Sequence, residues 1–155
     1  MIQLNLPSFN YKIQRSESKI MIFDEFRKKF VRLTPEEWVR QHFAHFLVNE
    51  KKFPKGLIAL EYSFSLEKRK KRADIIAFDA HANPFLVVEC KSDTQPINQK
   101  VFDQLARYNM AFKVDYLIVT NGMQHYICKV NYSEMNYIFL KEIPDFNDFF
   151  DQKLD

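Results

Sequence analysis

The chain alternates between short apolar runs and longer stretches in which apolar residues recur every three or four positions. A short apolar run bounded by turn residues predicts a buried strand, whereas the longer spacing predicts a helix with one buried face. We expect strands at residues 57–66, 72–79, 85–91, 115–120 and 124–130. One helix should cover residues 35–50, and a second should run from Pro96 or Asn98 to Phe112. The order α-β-β-β-α-β-β predicts an α/β fold with a mixed β-sheet flanked by helices.

The first helix has the clearest start. Thr34 suits the N-cap position, Pro35 the first helical position and Glu37 the last position of a capping box. Its buried face is expected to hold Val39, Phe43, Phe46 and Leu47. The corresponding stripe of the second helix is Val101, Leu105, Tyr108 and Phe112. His42 and His45 have no third ligand nearby in the sequence, so we expect them to serve in packing or at the surface.

The remaining segments are shorter. Asn121-Gly122 is a strong signal for a hairpin turn between two strands. Residues 20–23 predict a short strand, residues 26–30 a turn or a helix, and residues 137–140 an edge strand. The chain has 155 residues, only two glycines, and no repeat or linker, so we expect a single domain.

Charged residues interrupt the most apolar part of the predicted sheet. Glu89 and Lys91 end the run that begins at Phe85, and Asp74 lies in the preceding strand. Because side chains alternate along a strand, Glu89 and Lys91 share one face while Cys90 points the other way.

A hairpin between these strands would bring the two acids together. If Phe78 lies opposite Phe85 in an antiparallel pair, Asp74 lies directly across from Glu89 on the same face. Charged groups are rarely buried unless they are paired or hold a metal. The alternative is that Glu89 and Lys91 form a structural ion pair at a strand end, with Asp74 as a surface residue.

Two adjacent carboxylates repel each other unless a cation lies between them. Mg²⁺ typically takes one or two protein carboxylates and completes its shell with waters and phosphate oxygens, and Mn²⁺ is a candidate substitute. Asp74 and Glu89 are therefore candidate metal ligands, and the backbone carbonyl of Cys90 is a candidate third. Lys91 would orient the attacking water or neutralise a non-bridging phosphate oxygen.

A strongly basic run precedes the strand that holds Asp74. Residues 67–72 contain one acid and five bases, which gives a local charge of +4, whereas the whole chain has a net charge of only +3. Such a run attracts a phosphate backbone, so its bases are candidate nucleic-acid contacts. They are Lys68, Arg69, Lys70, Lys71 and Arg72. The alternative is an ordinary solvated hairpin tip.

Composition excludes several classes of protein. An apolar fraction of 46% and 16 Phe residues predict a well-filled core. No segment has the length of a membrane span or the pattern of a secretion signal, so we expect a cytoplasmic location without a membrane partner. Cys90 and Cys128 are expected to be buried thiols. Two glycines leave no room for a glycine-rich phosphate loop, and no Ser-His-Asp or Cys-His arrangement stands out.

Together, Asp74, the sequence Glu89-Cys90-Lys91 and the pair Gln104 and Tyr108 resemble the PD-(D/E)XK nuclease superfamily. The chain is most similar to the N-terminal nuclease domain of type I restriction enzyme R subunits. The resemblance spans residues 33–130 and leaves residues 1–32 and 131–155 as extensions. It implies a restriction-endonuclease-like fold, with Asp74 and Glu89 as metal ligands, Lys91 as the catalytic lysine, and Gln104 and Tyr108 as an auxiliary pair.

Other residues keep two interpretations. In this superfamily an acid on the first helix often assists the metal site, which makes Glu36 and Glu37 possible accessory acids. Glu37 has a sufficient role as a cap, and Glu36 can pair with Arg40 one turn later. Tyr108 is either part of the core, with Gln104 at its edge, or part of a pair that faces the metal site.

The leading hypothesis is a Mg²⁺-dependent endonuclease that hydrolyses DNA phosphodiester bonds. The alternative is a catalytically silent nucleic-acid-binding or assembly module of a restriction-modification or DNA-processing complex. A third hypothesis is an enzyme that acts on another phosphate-containing substrate, such as RNA. R subunits continue into a helicase motor, so we expect restriction-modification subunits or a separate helicase as partners. One active site cuts one strand, so cutting both strands would need two copies or two events, and a homodimer is one such arrangement.

Overall fold

Two β-sheets and two α-helices make up the fold. The computed structural model describes residues 1–151, so the end of the predicted extension 131–155 lies outside the described residues. The strands are β1 (Ile13–Ser16), β2 (Lys19–Asp24), β3 (Lys29–Arg32), β4 (Ile58–Leu66), β5 (Arg69–Phe78), β6 (Pro84–Cys90), β7 (Tyr116–Thr120), β8 (His125–Asn131) and β9 (Asn136–Phe139). The helices are α1 (Pro35–Asn49) and α2 (Gln99–Asn109), with short 3₁₀ turns at Lys55–Leu57, Met110–Phe112 and Phe146–Phe150. The predicted order α-β-β-β-α-β-β is confirmed by α1 through β8.

The larger sheet has six strands in the order β4-β5-β6-β7-β8-β9. Only β6 and β7 pair in parallel, and α2 lies in the connection between them, as a parallel crossover requires. Strand β9 lies at one edge, as the sequence predicts. The mixed sheet of the α/β prediction is therefore confirmed.

One apolar cluster lies on each face of this sheet. The first cluster joins the sheet to α1 and to Ile22 of the smaller sheet β1-β2-β3. The second joins it to α2 through Phe102 and Ala106. Each helix thus covers one face, so the central strands β6 and β7 are buried on both sides. No helix in the described part of the chain is long and apolar enough to cross a membrane.

Helix α1 begins where its sequence signals place it. The Oγ1 atom of Thr34 accepts a hydrogen bond of 3.0 Å from the amide of Glu37, and Pro35 is the first helical residue. Most of α1 is buried, because the N-terminal segment covers the side that the main sheet leaves open. His42 and His45 pack against Phe9, which confirms their predicted role in packing.

The hairpin β5–β6 differs from the predicted register at its closed end. Phe78 pairs with Pro84 and not with Phe85, because the register shifts between Ala77 and Phe78. Beyond this irregularity Ile75 pairs with Val88, so the predicted alignment holds toward the open end.

The buried face of α2 also differs from the prediction. The buried residues of α2 are Phe102, Ala106 and Asn109, whereas the predicted Val101 and Leu105 are half-buried. Phe112, in the 3₁₀ turn after the helix, is buried as predicted. Tyr108 is 42% exposed, which excludes its interpretation as a core residue. Tyr108 instead lines a surface cleft.

The N-terminal region contains more strand than the sequence predicts. Residues 25–28 form a turn, as expected, but Phe30 belongs to strand β3 and not to a helix. The predicted hairpin at Asn121-Gly122 is confirmed: the Oδ1 atom of Asn121 accepts hydrogen bonds from the amides of Met123 and Gln124. Gly122 has φ of +85°, which glycine adopts without strain.

Candidate active site

Asp74 and Glu89 meet at the open end of the hairpin β5–β6. They follow the pair Ile75 and Val88 in the register. The amide of Cys90 donates a hydrogen bond of 2.7 Å to Oδ2 of Asp74. The side chains of Asp74 and Glu89 also line the same surface cleft. The structure therefore brings the two predicted acids together.

The alternation of side chains in β5 breaks at Asp74. Ala73 packs in the cluster on the α2 side, whereas Ile75 packs in the cluster on the α1 side. Across from this break, Glu61 of β4 has φ of +51°, a left-handed conformation that non-glycine residues rarely adopt. The irregularity lets the Asp74 carboxylate contact residues from both faces of the sheet.

Lys91 follows the last residue of β6. Its amide donates a hydrogen bond of 2.8 Å to the carbonyl of Thr120, which continues the ladder between β6 and β7. The Nζ atom lies 3.7 Å from Oε1 of Glu89, and the two side chains are 25% and 14% exposed. The third predicted residue therefore joins the two acids at the same strand end.

Burial raises the pKa of Glu89 to about 8, and the neighbouring Asp74 carboxylate adds to the effect. Lys91 opposes this shift but does not cancel it. Glu89 thus holds a proton near neutral pH because its negative charge is costly in a buried position beside Asp74. The thiol of Cys90 is fully buried, and its pKa is raised well above the ordinary value by the same cause.

Arg40 of α1 contacts the site from the other side, which the sequence did not predict. Its Nη2 atom donates a hydrogen bond of 2.9 Å to Oδ1 of Asp74, and its Nη1 atom donates one of 2.6 Å to Glu37. Nη2 also lies 3.1 Å from Glu36 and 2.9 Å from Glu61. Burial alone would lower the pKa of Arg40, but Asp74 and Glu37 raise it above the ordinary value.

The two possible accessory acids have different environments. Glu36 is paired with Arg40, as predicted, and its side chain is 46% exposed at the edge of the site. Glu37 is buried, and its carboxylate is engaged by Arg27, Arg40 and Gln41 instead of completing a capping box. Glu36 therefore faces the site directly, whereas Glu37 acts on it only through Arg40.

An open cleft of about 430 Å³ lies in front of these acids. It is lined by Glu36, Ser63, Lys70, Lys71, Arg72, Asp74, Glu89 and Tyr108. The Nζ atom of Lys71 lies 4.4 Å from the centre of the Tyr108 ring, within the range of a cation–π contact. Gln104 is exposed and does not line this cleft, so the structure brings only one member of the predicted auxiliary pair to the site.

The basic run is mainly strand, not loop. Glu67 and Lys68 form the hairpin turn, while Arg69 through Arg72 begin β5. Arg72 is fixed by an ion pair of 3.2 Å between its Nε atom and Glu61. Lys70, Lys71 and Arg72 therefore hold their charges beside the two acids, and Lys68 and Arg69 extend the positive surface outward.

The donor set fits a hard divalent cation only in part. The neighbouring carboxyl groups of Asp74 and Glu89 supply the oxygen ligands that Mg²⁺ prefers. Among residues 1–151, no group of three or more His, Cys, Asp or Glu side chains is arranged to hold a metal. The remaining ligands would thus be water, backbone or phosphate oxygens, which is common for Mg²⁺.

The fold is similar to that of a solved fragment described as an HsdR subunit of a type I restriction enzyme from Vibrio vulnificus YJ016. The match has a TM-score of 0.53 and 22% sequence identity, and covers 76% of this chain and 25% of that one. It shows a shared fold, and this chain spans about a quarter of that protein's length. No curated protein matches the chain.

A family model described as "Type I restriction enzyme R protein N terminus (HSDR_N)" matches residues 35–144. The matched segment is more than half of the chain, and it contains both α-helices, strands β4 to β9 and the acids at the hairpin end. The smaller sheet β1-β2-β3 lies outside it. The chain therefore belongs to the family of type I restriction enzyme R protein N-terminal domains.

Proposed function

We propose that this chain is a Mg²⁺-dependent endonuclease domain that hydrolyses DNA phosphodiester bonds. The observation that carries the proposal is the convergence of Asp74 and Glu89 at the end of a buried strand, where the amide of Cys90 donates a hydrogen bond to Asp74 and Lys91 lies 3.7 Å from Glu89. A basic cleft lies directly in front of this group. Family membership supports the same activity.

Each residue would have a distinct role in this reaction. Asp74 and Glu89 would hold the metal, which when bound supplies an activated water and stabilises charge on the phosphate. Glu89 would give up its proton as the metal binds. Lys91 would donate to a non-bridging phosphate oxygen, where negative charge builds up during displacement. The backbone carbonyl of Cys90 remains a candidate ligand.

The DNA backbone would follow the basic part of the cleft. Lys70 and Lys71 would pair with phosphates and bring a phosphodiester to the two acids. Tyr108 would stack or donate a hydrogen bond beside Lys71. Family membership suggests that translocation and sequence recognition come from other parts of a restriction-modification complex, so such subunits are the proposed partners.

A plasmid assay tests the proposal. Purified protein should cut supercoiled plasmid with Mg²⁺ or Mn²⁺, and Asp74→Ala, Glu89→Ala or Lys91→Ala should lower the rate by roughly a hundredfold or more. Asp115→Ala is a matched control, because Asp115 precedes β7 at the opposite end of the parallel strand pair. Circular dichroism would verify that each variant is folded.

Two results would contradict the proposal in different ways. Cleavage at the wild-type rate by any of the three alanine variants would remove that residue from the site. DNA binding without metal-dependent cleavage would favour the alternative of a silent binding or assembly module. That alternative has one supporting observation: the Asp74 carboxylate is already paired with a positive charge, the Arg40 guanidinium at 2.9 Å.

A further inference from the structure

A chain of ion pairs connects the smaller sheet to the candidate metal site. It begins at Asp24, at the end of β2, and passes through Arg27, Glu37 and Arg40 to Asp74. The distance from Arg27 Nη2 to Glu37 is 2.8 Å, that from Arg40 Nη1 to Glu37 is 2.6 Å, and that from Arg40 Nη2 to Asp74 is 2.9 Å. Acids and bases alternate throughout, so each charge has a neighbour of opposite sign.

The members of this chain are largely withdrawn from water. The side chain of Asp24 is 0% exposed, and those of Glu37 and Arg40 are each 7% exposed. The Nε atom of Arg40 is buried, and no hydrogen-bond partner for it is present in the described part of the protein. Buried ion pairs of this kind often contribute less stability than apolar residues of similar volume. Folding alone is therefore a weak reason for Arg40 to occupy this position.

Arg40 and the amide of Cys90 together fix the orientation of the Asp74 carboxylate. Arg40 donates to Oδ1, and the amide of Cys90 donates to Oδ2. Each oxygen retains a second lone pair, so both remain able to bind a cation. Carboxylates that ligate metals are commonly held in this way by residues that do not touch the metal.

The ion pairs that lead to Arg40 begin in the smaller sheet, at Asp24 and Arg27. The Oδ1 atom of Asp24 accepts hydrogen bonds from the amides of Phe26 and Arg27, at 2.7 and 3.0 Å, which fixes the turn after β2. The side chain of Arg27 pairs with Asp24 and reaches Glu37. This turn precedes residue 35, where the family match begins, so the contact joins a segment outside the match to the matched region.

We propose that Arg40 is a positioning residue for the metal-binding carboxylate of Asp74, and that the smaller sheet β1-β2-β3 supports it through Arg27. The inference rests on the proposed function, because it requires that Asp74 binds a metal. It assigns the N-terminal extension a role in the site. If Arg40 instead competed with the metal for the Asp74 carboxylate, removing its side chain would strengthen metal binding.

Mn²⁺ titration of the purified full chain tests the inference, with free Mn²⁺ measured by electron paramagnetic resonance. Arg40→Met should raise the Kd for Mn²⁺ by roughly 10- to 100-fold. Arg27→Met should raise it in the same direction by less, because Glu37 and Arg40 remain paired. Arg40→Lys keeps the charge but not the planar fork, so its Kd should lie between those of the wild type and Arg40→Met.

Lys55→Met is the matched control for Arg27→Met. Lys55 forms an ion pair of 3.1 Å with Glu25 of the same turn, but that pair is exposed and does not lead to Asp74. The control variant should bind Mn²⁺ as the wild type does. Unfolding temperatures measured on the same samples separate a loss of stability from a loss of metal affinity.

The outcomes are distinguishable. If the wild type binds Mn²⁺ and folded Arg40→Met binds it equally well or more tightly, the inference is overturned and the proposed function stands. If Arg40→Met does not fold, Arg27→Met decides by the same criterion, since its side chain is partly exposed. If the wild type binds no Mn²⁺, the proposed function and this inference both fail.

Discussion

Glu89 is held where its negative charge is costly. Its pKa is raised to about 8 by burial and by Asp74, with a smaller contribution from Glu36 and opposition from Lys91. The folded protein therefore retains a proton at pH values where the unfolded chain has already released it. The free energy of unfolding should thus fall as the pH rises from about 4.5 to about 8.

Urea denaturation at several pH values tests this expectation. In metal-free buffer the wild type should lose stability with a slope of up to about 1.4 kcal/mol per pH unit between these limits. Glu89→Gln should remove this loss and leave the opposite dependence of His42, His45 and His125, whose pKa values burial lowers, so that its stability rises with pH up to about 6.5. Glu25→Gln, at an exposed carboxylate, should keep the wild-type slope. An unchanged slope in Glu89→Gln would show that its proton affinity is ordinary.

At the residue scale the sequence predicted that the two acids lie together, but it did not predict the contact between Arg40 and Asp74. Asp74, Glu89 and Lys91 could be found because charged residues are rare in an apolar strand. The role of Arg40 could not be found, because Glu61 and Asp74 lie in β4 and β5, and sequence spacing identifies only its helical neighbours Glu36 and Glu37. Glu61 was missed for the same reason, since an acid in a half-exposed strand is unremarkable without the backbone conformation.

The turn between β7 and β8 shows how one element depends on a single residue. Gly122 has φ of +85°, and a Cβ atom there would lie 2.9 Å from a methyl group of Leu4. The carbonyl of Gly122 also accepts a hydrogen bond of 2.8 Å from the amide of Asn5. The turn therefore fixes the N-terminal segment against the sheet as well as joining two strands.

Gly122→Ala should destabilise the protein by about 1–3 kcal/mol, because alanine is strained at this φ and meets Leu4. Thermal or urea denaturation would measure the loss. Gly56→Ala is the matched control, since no atom lies within 4 Å of a Cβ atom at that position. Equal stabilities of the two variants would contradict the argument.

At the element scale, predictions succeeded where local chemistry decides the structure. Thr34, Pro35 and the Asn121-Gly122 turn specify their positions through their own backbone preferences. The register shift after Ala77 has no signal in the residues themselves, because it depends on how the hairpin closes. The predicted buried face of α2 was partly wrong because apolar residues occur on more than one side of the helix. Only packing against the sheet decides that Phe102 is the buried residue.

On the scale of the whole molecule, charge is unevenly distributed. The net charge is +3, yet Lys70, Lys71 and Arg72 all face the cleft in front of the two acids. A phosphate backbone bound there releases counterions, so DNA affinity should fall steeply with salt. The double variant Lys70→Glu/Lys71→Glu should weaken binding and flatten the plot of log affinity against log salt concentration by roughly one to two units.

Fluorescence anisotropy with labelled DNA at several salt concentrations would measure this slope. The matched control is Lys19→Glu/Lys29→Glu, which reverses the same number of exposed charges on the smaller sheet. If both double variants reduce the slope equally, DNA binding depends on net charge and not on the cleft.

The parallel pairing of β6 and β7 divides the main sheet into two parts with different folding requirements. Strands β4, β5 and β6 follow one another as antiparallel neighbours, so their pairing needs only short-range chain closure. Strand β7 joins them only through the crossover that contains α2. Asp74 and Glu89 lie in the locally paired part, so their strands become aligned through pairing between neighbours in the chain.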